Sequence, residues 1–483
     1  MNRAANLSFG EKLSYGMGAI GKDLVFATIS GFYMMYLTQV VGLTGFIVGI
    51  VFAIARAWDA FNDPIMGSFV DNTRSKWGKF RPWLALGTLL NAIVVILMFA
   101  DFNLPNLAEY YYYLIIYVIW GMSYTIVDIP YWSLIPAISG TPEERNSISS
   151  LARIFASAGG FIATALMPMV LGEFGWGREI FFSSGVVLAG CFVFFMAFTV
   201  IFTREKIIGI SEKVKIREIL RIIIDNDQLL AYFASFGLFA CAAIIITHSG
   251  MYYFKIVLDN EQLLTFFLIT GGIGGMGVAM FIYPLLARRF GRRPVYIAAM
   301  IIAITGFFTL TTSSFILGGT NAMALFWLFS GGWMVMFANG LASVGATVML
   351  ADIVDYGEWK SGNRTENITF SAQCLAYKFA TAISALITGA AVSIGNIPTI
   401  NPDGTFYGEV TAAGKDVITF AIFTLPVVFV ILGLFFYIKY FKFYGAYQEK
   451  IMQELNSRHR DKGTGSLSHL PSSNNTFNDS GYP

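Results

Sequence analysis

Apolar runs of about twenty residues or more follow one another along almost the whole chain, and they decide the class of fold before any motif is read. An α-helix needs about twenty apolar residues to cross the hydrocarbon core of a bilayer. Approximate runs of that kind cover 13–41, 44–70, 82–101, 109–138, 148–172, 179–203, 228–258, 263–287, 294–316, 322–351, 368–396 and 414–441. Only 13% of the residues are charged and 56% are hydrophobic, where a soluble chain is about a quarter charged. Too little polar surface is left to cover a soluble particle. Barrel strands would alternate every second residue, and these runs are continuous. The expectation is an all-α membrane protein of twelve transmembrane helices, several long enough to tilt or protrude.

Lys and Arg in the loops orient such a chain, because they concentrate on the cytoplasmic side. The loop after the second run carries Arg74, Lys76, Lys79 and Arg81. The loop after the sixth carries Arg204, Lys206, Lys213, Lys215, Arg217 and Arg221, and the loop after the eighth Arg288, Arg289, Arg292 and Arg293. Lys450, Arg458, Arg460 and Lys462 follow the last run, while the alternate loops hold only Arg178, Lys255 and Lys415. With twelve spans every basic loop falls on one side, so both termini are expected in the cytoplasm of a cell inner-membrane protein. Nothing at Gly10 to Tyr15 resembles a cleavable signal.

The longest loop divides the chain into an N-terminal six-helix half (1–203), a cytoplasmic middle loop (204–227) with an amphipathic stretch Ile216 to Ile224, a C-terminal six-helix half (228–445) and a polar cytoplasmic tail (446–483). From 463 onward the tail is rich in Ser, Asn and Gly, and disorder is expected there. The halves echo one another. Gly78-Lys79-Phe80-Arg81-Pro82 follows the second run and Gly291-Arg292-Arg293-Pro294 the eighth. Parallel halves about a central axis are a known transporter plan.

Cys191, Cys241 and Cys374 lie far apart in apolar segments, and His459 and His469 sit in the tail. This inventory offers no metal cluster and no disulfide framework. No nucleophile–base pair, signalling domain or ATP-binding domain is visible, so neither an enzyme nor a cofactor nor a nucleic-acid partner is expected. Gly16-x-Gly18-x-x-Gly21 and Gly272-x-Gly274-x-x-Gly277 look like dinucleotide fingerprints, but neither follows a strand. Small residues in a membrane helix serve close packing or bending, and a kink in the first span beside Lys22 and Asp23 would suit a binding site.

Ionisable groups inside a span cost several kcal/mol and are functional candidates. They are Lys22 and Asp23, Arg56, Asp59 and Asp63, Asp128, Arg153 and Lys378, seven of the eight in the N-terminal half. Asp59 and Asp63 are one turn apart on one helix face, and two buried carboxylates that close need something positive between them. A proton, a sodium ion or a lysine would serve, and Arg56 can partly neutralise them. Asn62 and Thr125 add oxygen ligands, which suit a hard monovalent cation. Tyr33, Tyr36, Trp58, Trp120, Tyr124 and Trp132 crowd the same helices, most of them expected as lipid-facing or interfacial anchors. Trp132 stands apart, because it shares a face with Asp128. An aromatic platform beside carboxylates and an arginine is a common way to hold a sugar. His248 stands alone and reads as a hydrogen-bonded or interfacial residue.

Four segments resemble one known family. They are Gly18 to Asp23; Trp58-Asp59-Ala60-Phe61-Asn62-Asp63-Pro64 with Thr73 to Trp83; Tyr124 to Leu134; and Ala351 to Glu358. On them the chain is identified as a member of the melibiose carrier family, the glycoside–pentoside–hexuronide:cation symporters of the major facilitator superfamily, over about residues 10 to 445. The resemblance implies cation ligands at Asp59, Asn62, Asp63 and Thr125, and sugar contacts at Lys22, Asp23, Tyr124, Asp128, Trp132, Arg153, Gln373 and Lys378, with Lys378 also near the cation. It implies symport of a glycoside with Na+, Li+ or H+ by one chain in a lipid membrane. Ser30 and Ser343 replace aromatics of the melibiose carrier, which alters the pocket wall. The competing reading is a proton-coupled exporter or antiporter on the same fold; the cation block speaks against it. A reporter fused after Tyr407 should read external and one after Lys462 internal, and the reverse result would overturn this topology.

Overall fold

The computed structural model describes residues 7–139, 141–205, 225–316, 321–362 and 366–467. Among them the chain is helical, apart from loops and one isolated antiparallel bridge between Ile400 and Phe406. In the N-terminal half, α1 is Phe9–Thr28 continued by π-helical turns at Ile29–Tyr33 and Tyr36–Val41, α2 is Gly45–Asn72 and α3 Arg81–Met98. They are followed by α4 Asn106–Ile138, α5 Pro142–Phe174 and α6 Arg178–Phe202. The C-terminal half holds α7 (Asp227–Tyr252, with a π turn Tyr253–Val257) and α8 (Gln262–Gly271, π turn Gly272–Gly277, Val278–Phe290). Next come α9 Arg292–Phe315, α10 Ala322–Ser361, α11 Glu366–Ile394 and α12 (Ala412–Thr419, π turn Phe420–Thr424, Leu425–Tyr440). A thirteenth helix, α13 Gly445–Leu467, lies beyond the spans. Among the described residues, ten of the twelve spans are long and apolar enough to cross a membrane. The other two, α1 and α2, carry Lys22 and Asp23 and Arg56, Asp59 and Asp63. Phe281 on α8 is 90% exposed, and Val187, Phe308 and Phe326 stand out from α6, α9 and α10, as a lipid-facing surface requires.

Helix starts follow from local side-chain chemistry. Ser8 and Glu11 form a reciprocal capping box at α1, and Thr141, Asn226, Asn321 and Thr411 each accept an amide of the first turn at α5, α7, α10 and α12. Such caps satisfy amides that have no partner within the helix. The basic turn before α3 is held differently. The backbone amides of Lys79, Phe80 and Arg81 all donate to the Glu205 carboxylate, an anion at a helix N-terminus. Gly78 sits there at φ +104°, and a Cβ on it would collide with that carboxylate.

Helices α1, α5 and α6 pack together, as do α3 with α4 and α6, and α2 with α4. In the other half, α7 packs on α11 and α12, α9 on α10 and α12, and α8 on α10. The glycines of α1 serve close packing: a Cβ on Gly18 would collide with Thr199 Oγ1, and one on Gly21 would lie 2.9 Å from Phe195. Those of α8 fall in a π turn, a local irregularity of the helix. In α1 the irregular turns begin at Ile29, so the break lies six residues past Asp23 rather than beside it.

The halves meet along α2–α11, α5–α8 and α1–α7. At the end away from the termini these contacts reach backbone distance, where Cβ atoms on Gly45 and Gly49 would stand 2.9 and 2.8 Å from the carbonyls of Gly389 and Ala385. The Phe46 amide donates to Ser393, and Thr38 bonds Tyr252. At the end that carries the termini and the basic loops, Arg292 pairs with Asp352 and Lys360 with Asp227, both within the C-terminal half. The molecule is therefore closed at the far end.

Two expectations are corrected. Residues 463–467 belong to the last turn of α13, which is pinned to α10 by a Trp359–Glu454 hydrogen bond (2.8 Å) and an Arg458–Trp359 carbonyl bond (2.9 Å), while 468–483 lie outside the described residues. These contacts lie one to three turns before 463, and the helix continues through them. The aromatic residues Tyr33, Tyr36 and Trp120 are fully buried and Tyr124 nearly so, leaving Trp58 as the exposed one. They stack inside the N-terminal half, with Phe52 and Tyr117 at 3.7 Å between ring centroids as the closest pair. The amphipathic stretch Ile216 to Ile224 lies outside the described residues. Gly159 carries the closest α5–α1 approach: a Cβ on it would stand 2.9 Å from the Ile20 Cα and collide with the Ile20 carbonyl. Gly159→Ala should therefore force the helices apart and lower stability by about 1–3 kcal/mol, read as a fall in Tm in detergent; an unchanged Tm would contradict this contact.

Candidate functional site

A single buried ammonium organises the first cluster. Lys22 on α1 is 3% exposed and lies 2.8 Å from Asp128 on α4 and 3.1 Å from its neighbour Asp23. It also donates to the Tyr124 hydroxyl at 3.1 Å. The α1–α4 register behind it is fixed by a reciprocal pair: Tyr15 donates to the Tyr131 carbonyl (2.7 Å) and Tyr131 to the Tyr15 carbonyl (2.8 Å), with the rings stacked. Trp132 donates its indole N–H to Asp128 (3.1 Å), and both Lys22 and Arg153 lie over its ring, at 5.3 and 5.6 Å. Asp23 and Asp128 are 25% and 32% exposed. Carboxylates that wet in the middle of a bundle line a water-accessible gap rather than lipid. The cluster thus brings together Lys22, Asp23, Tyr124, Asp128, Trp132 and Arg153.

The second cluster lies one turn away on α4. Thr125 donates to Asp63 of α2 at 3.4 Å, and Lys378 of α11 pairs with the same carboxylate across the two halves. Asp59, 6% exposed, is held by Arg56 at 3.0 Å on its own helix face. Glycine at 121 lets α4 close on it, since a Cβ there would stand 3.1 Å from Asp59 Oδ1. Asn62 is half-buried on the same helix, and Gln373 half-buried on α11 five residues before Lys378. Each carboxylate of the pair thus has its own tethered cation. Cys374, exposed on α11, lies one turn before Lys378, the residue that reaches Asp63.

Sequence reasoning missed how Arg56 is held. Its guanidinium donates to the Tyr117 hydroxyl (3.1 Å) and lies 5.3 Å from the Trp120 ring centre. A periodic pattern gives no signal for such pairing between α2 and α4. Arg56 also lines a small chamber between the halves with Ser30, Tyr117, His248, Ser249, Thr381, Ser384 and Thr388, with room for about one water. His248 is thus an inter-half residue and not an interfacial one. Ser343 lies on α10 with its hydroxyl 3.4 Å from Asn339.

Residues 14–441 match the family described as MFS/sugar transport protein. The chain belongs to this family. It is a multi-pass membrane transporter rather than an enzyme. The inner membrane symporter YicJ of Escherichia coli (strain K12) is 29% identical over 395 residues, 80% of this chain and 83% of that one. The isoprimeverose transporter of Lactiplantibacillus pentosus is 27% identical over 394 residues, 80% of each chain. A lactose permease of Lactobacillus delbrueckii subsp. bulgaricus is 25% identical over 453 residues, 89% of this chain and 69% of its own. The crystal structure of a D-xylose-proton symporter superposes with a TM-score of 0.59 at 14% identity, covering 90% of this chain and 98% of that one, which shows a common fold.

Lys22→Met would leave Asp128 and Asp23 without their shared counter-charge. It should lower stability by about 1–3 kcal/mol, and Asp128→Asn on that background should recover part of the loss, a coupling of roughly 0.5–3 kcal/mol. Thermal unfolding of the two single variants and the double variant reads this coupling. Strict additivity would mean that the pair does not interact.

Proposed function

We propose that this chain imports a small glycoside across the inner membrane in symport with a monovalent cation, sodium or lithium before the proton. The observation that carries the reading is the meeting of the two clusters on α4, where Thr125 reaches Asp63 and Asp128 reaches Lys22, one turn apart. Both are held by residues of one chain, so a monomer suffices. Asp23, Asp128 and Arg153 offer acceptors and donors for sugar hydroxyls, and Trp132 offers an apolar face beneath the ring. Tyr124, Lys22, Gln373 and Lys378 complete the contacts. The relatives named as carriers of lactose and isoprimeverose support a glycoside as the substrate class. Serine at 30 and 343 widens or polarises the wall, which favours glycosides other than melibiose.

The coupling ion belongs at Asp59, Asp63, Asn62 and Thr125, an oxygen set without softer ligands. Arg56 and Lys378 neutralise the two carboxylates in the ion's place. An arriving cation competes with them, and Lys378 is then free to turn toward the sugar cluster. Each ligand raises the other's affinity by the same factor, because linkage is reciprocal. With the basic loops in the cytoplasm, the closed end faces outward and the ligands leave inward. An inward charge adds about 2.3 kcal/mol per 100 mV of membrane potential, so accumulation needs no ATP.

Asp59→Cys removes one cation ligand and leaves the sugar contacts in place. It should abolish sodium-stimulated sugar binding and uphill accumulation, while downhill exchange persists. The wild type should show a sodium stimulation of roughly 5- to 150-fold. Sodium-stimulated binding that survives in Asp59→Cys would put the cation elsewhere. A wild type that responds to pH and never to sodium or lithium would make the proton the coupling ion.

A further inference from the structure

The loop between α11 and α12 leaves its own half and grips the other. It folds as a small hairpin: Ile400 bridges Phe406, the Asn401 amide donates to the Thr405 carbonyl (2.7 Å), and the Gly404 amide to the Asn401 carbonyl (2.9 Å). Asp403 accepts both the amide and the hydroxyl of Thr405 at the tip, which holds its carboxyl below the ordinary range. Two backbone bonds dock the hairpin on the N-terminal half. The Ile400 amide donates to the carbonyl of Gln39 at the end of α1 (2.7 Å), and the Trp176 amide between α5 and α6 donates to the Pro402 carbonyl (2.8 Å).

Trp176 is the peg of this closure. It is 1% exposed, and a Cβ on Gly404 would stand 3.1 Å from its ring. Its indole donates to Glu261 (3.2 Å), Glu261 pairs with Lys255 (3.4 Å), and Lys255 lies 5.5 Å from the indole ring centre. A tryptophan of the N-terminal half is therefore enclosed by residues of the C-terminal half.

One feature opposes the grip. The side chain of Gln39 is fully buried, and neither its Nε2 nor its Oε1 has a partner among the described residues. A desolvated amide without hydrogen bonds is destabilising. The backbone carbonyl of Gln39 is the one that the Ile400 amide holds, so the residue sits at the seam between the halves. We propose that the Ile400–Phe406 hairpin is an outer gate latch: its backbone bonds and Trp176 hold the far end shut, and the unsatisfied Gln39 amide keeps that closure weak enough to reverse in each transport cycle. The latch rests on the transport reading for its activity arm alone.

The geometry supplies a direct test. A Cβ on Gly177 would lie 3.6 Å from that of Pro402, within the disulfide range of about 3.5–4.5 Å. Gly177→Cys/Pro402→Cys should oxidise to a cross-link, verified by mass. Transport should fall at least about tenfold and recover with reductant, as neither single variant does. Alkylation of Cys374 by an impermeant maleimide in inside-out vesicles needs no substrate. It should persist in the cross-linked protein, because Cys374 is exposed while the far end is shut. Gln39→Leu removes the amide, and should favour closure on the order of tenfold, with faster Cys374 alkylation and slower transport. Full transport through a verified cross-link, loss of Cys374 alkylation on cross-linking, failure of the cross-link to form, or a Gln39→Leu protein that alkylates no faster would each overturn the latch. Alkylation that behaves as expected in a protein that moves no glycoside would leave the latch standing and reject the substrate reading.

Discussion

Everything in the centre of this molecule depends on neutralising carboxylates that lie within a membrane. A charge there is tolerated when it meets an opposite charge or water. Lys22 meets Asp23 and Asp128, Arg56 meets Asp59, and Lys378 meets Asp63. Three tethered cations thus serve four acids. Arg153, above Trp132, remains exposed to the gap. The arrangement is balanced but not rigidly so, because Asp63 and Lys378 belong to different halves. Any motion that separates α2 from α11 must either break that pair or replace one partner by an ion.

Packing brings these charges into reach. Glycines 18, 21 and 159 let α1 lie against α5 and α6, Gly121 lets α4 close on Asp59, and glycines 45, 49 and 389 let the halves touch at the far end. In lipid, association of helices comes from such close contact rather than from hydrophobic burial. At the opposite end Arg292–Asp352 and Lys360–Asp227 tie α9 and α7 to α10 within the C-terminal half.

Much of this was legible in the sequence. Hydropathy located the spans to within several residues, and loop charges put the basic segments at one end. Spacing put Arg56, Asp59 and Asp63 on one face of α2. Pairings over long sequence distance, such as Lys378 with Asp63, had no local signal; the resemblance gave only their neighbourhood. The burial of Tyr33, Tyr36 and Trp120 was misread because lipid and protein interior are both apolar, so composition cannot tell a core aromatic from a lipid-facing one. Polar composition marked the tail but gave no sign of α13, which Trp359 and Glu454 tie down. The hairpin over Trp176 was invisible, since its bonds are made by backbone groups that every sequence has.

The central claim is that two ligand sites are coupled through one turn of α4. Calorimetric titration of purified wild-type protein tests it most directly, with a glycoside titrated at zero and saturating sodium, and sodium titrated at zero and saturating glycoside. The account predicts two equal enhancement factors, each roughly 5- to 150-fold. A glycoside affinity indifferent to sodium, lithium and pH would contradict it.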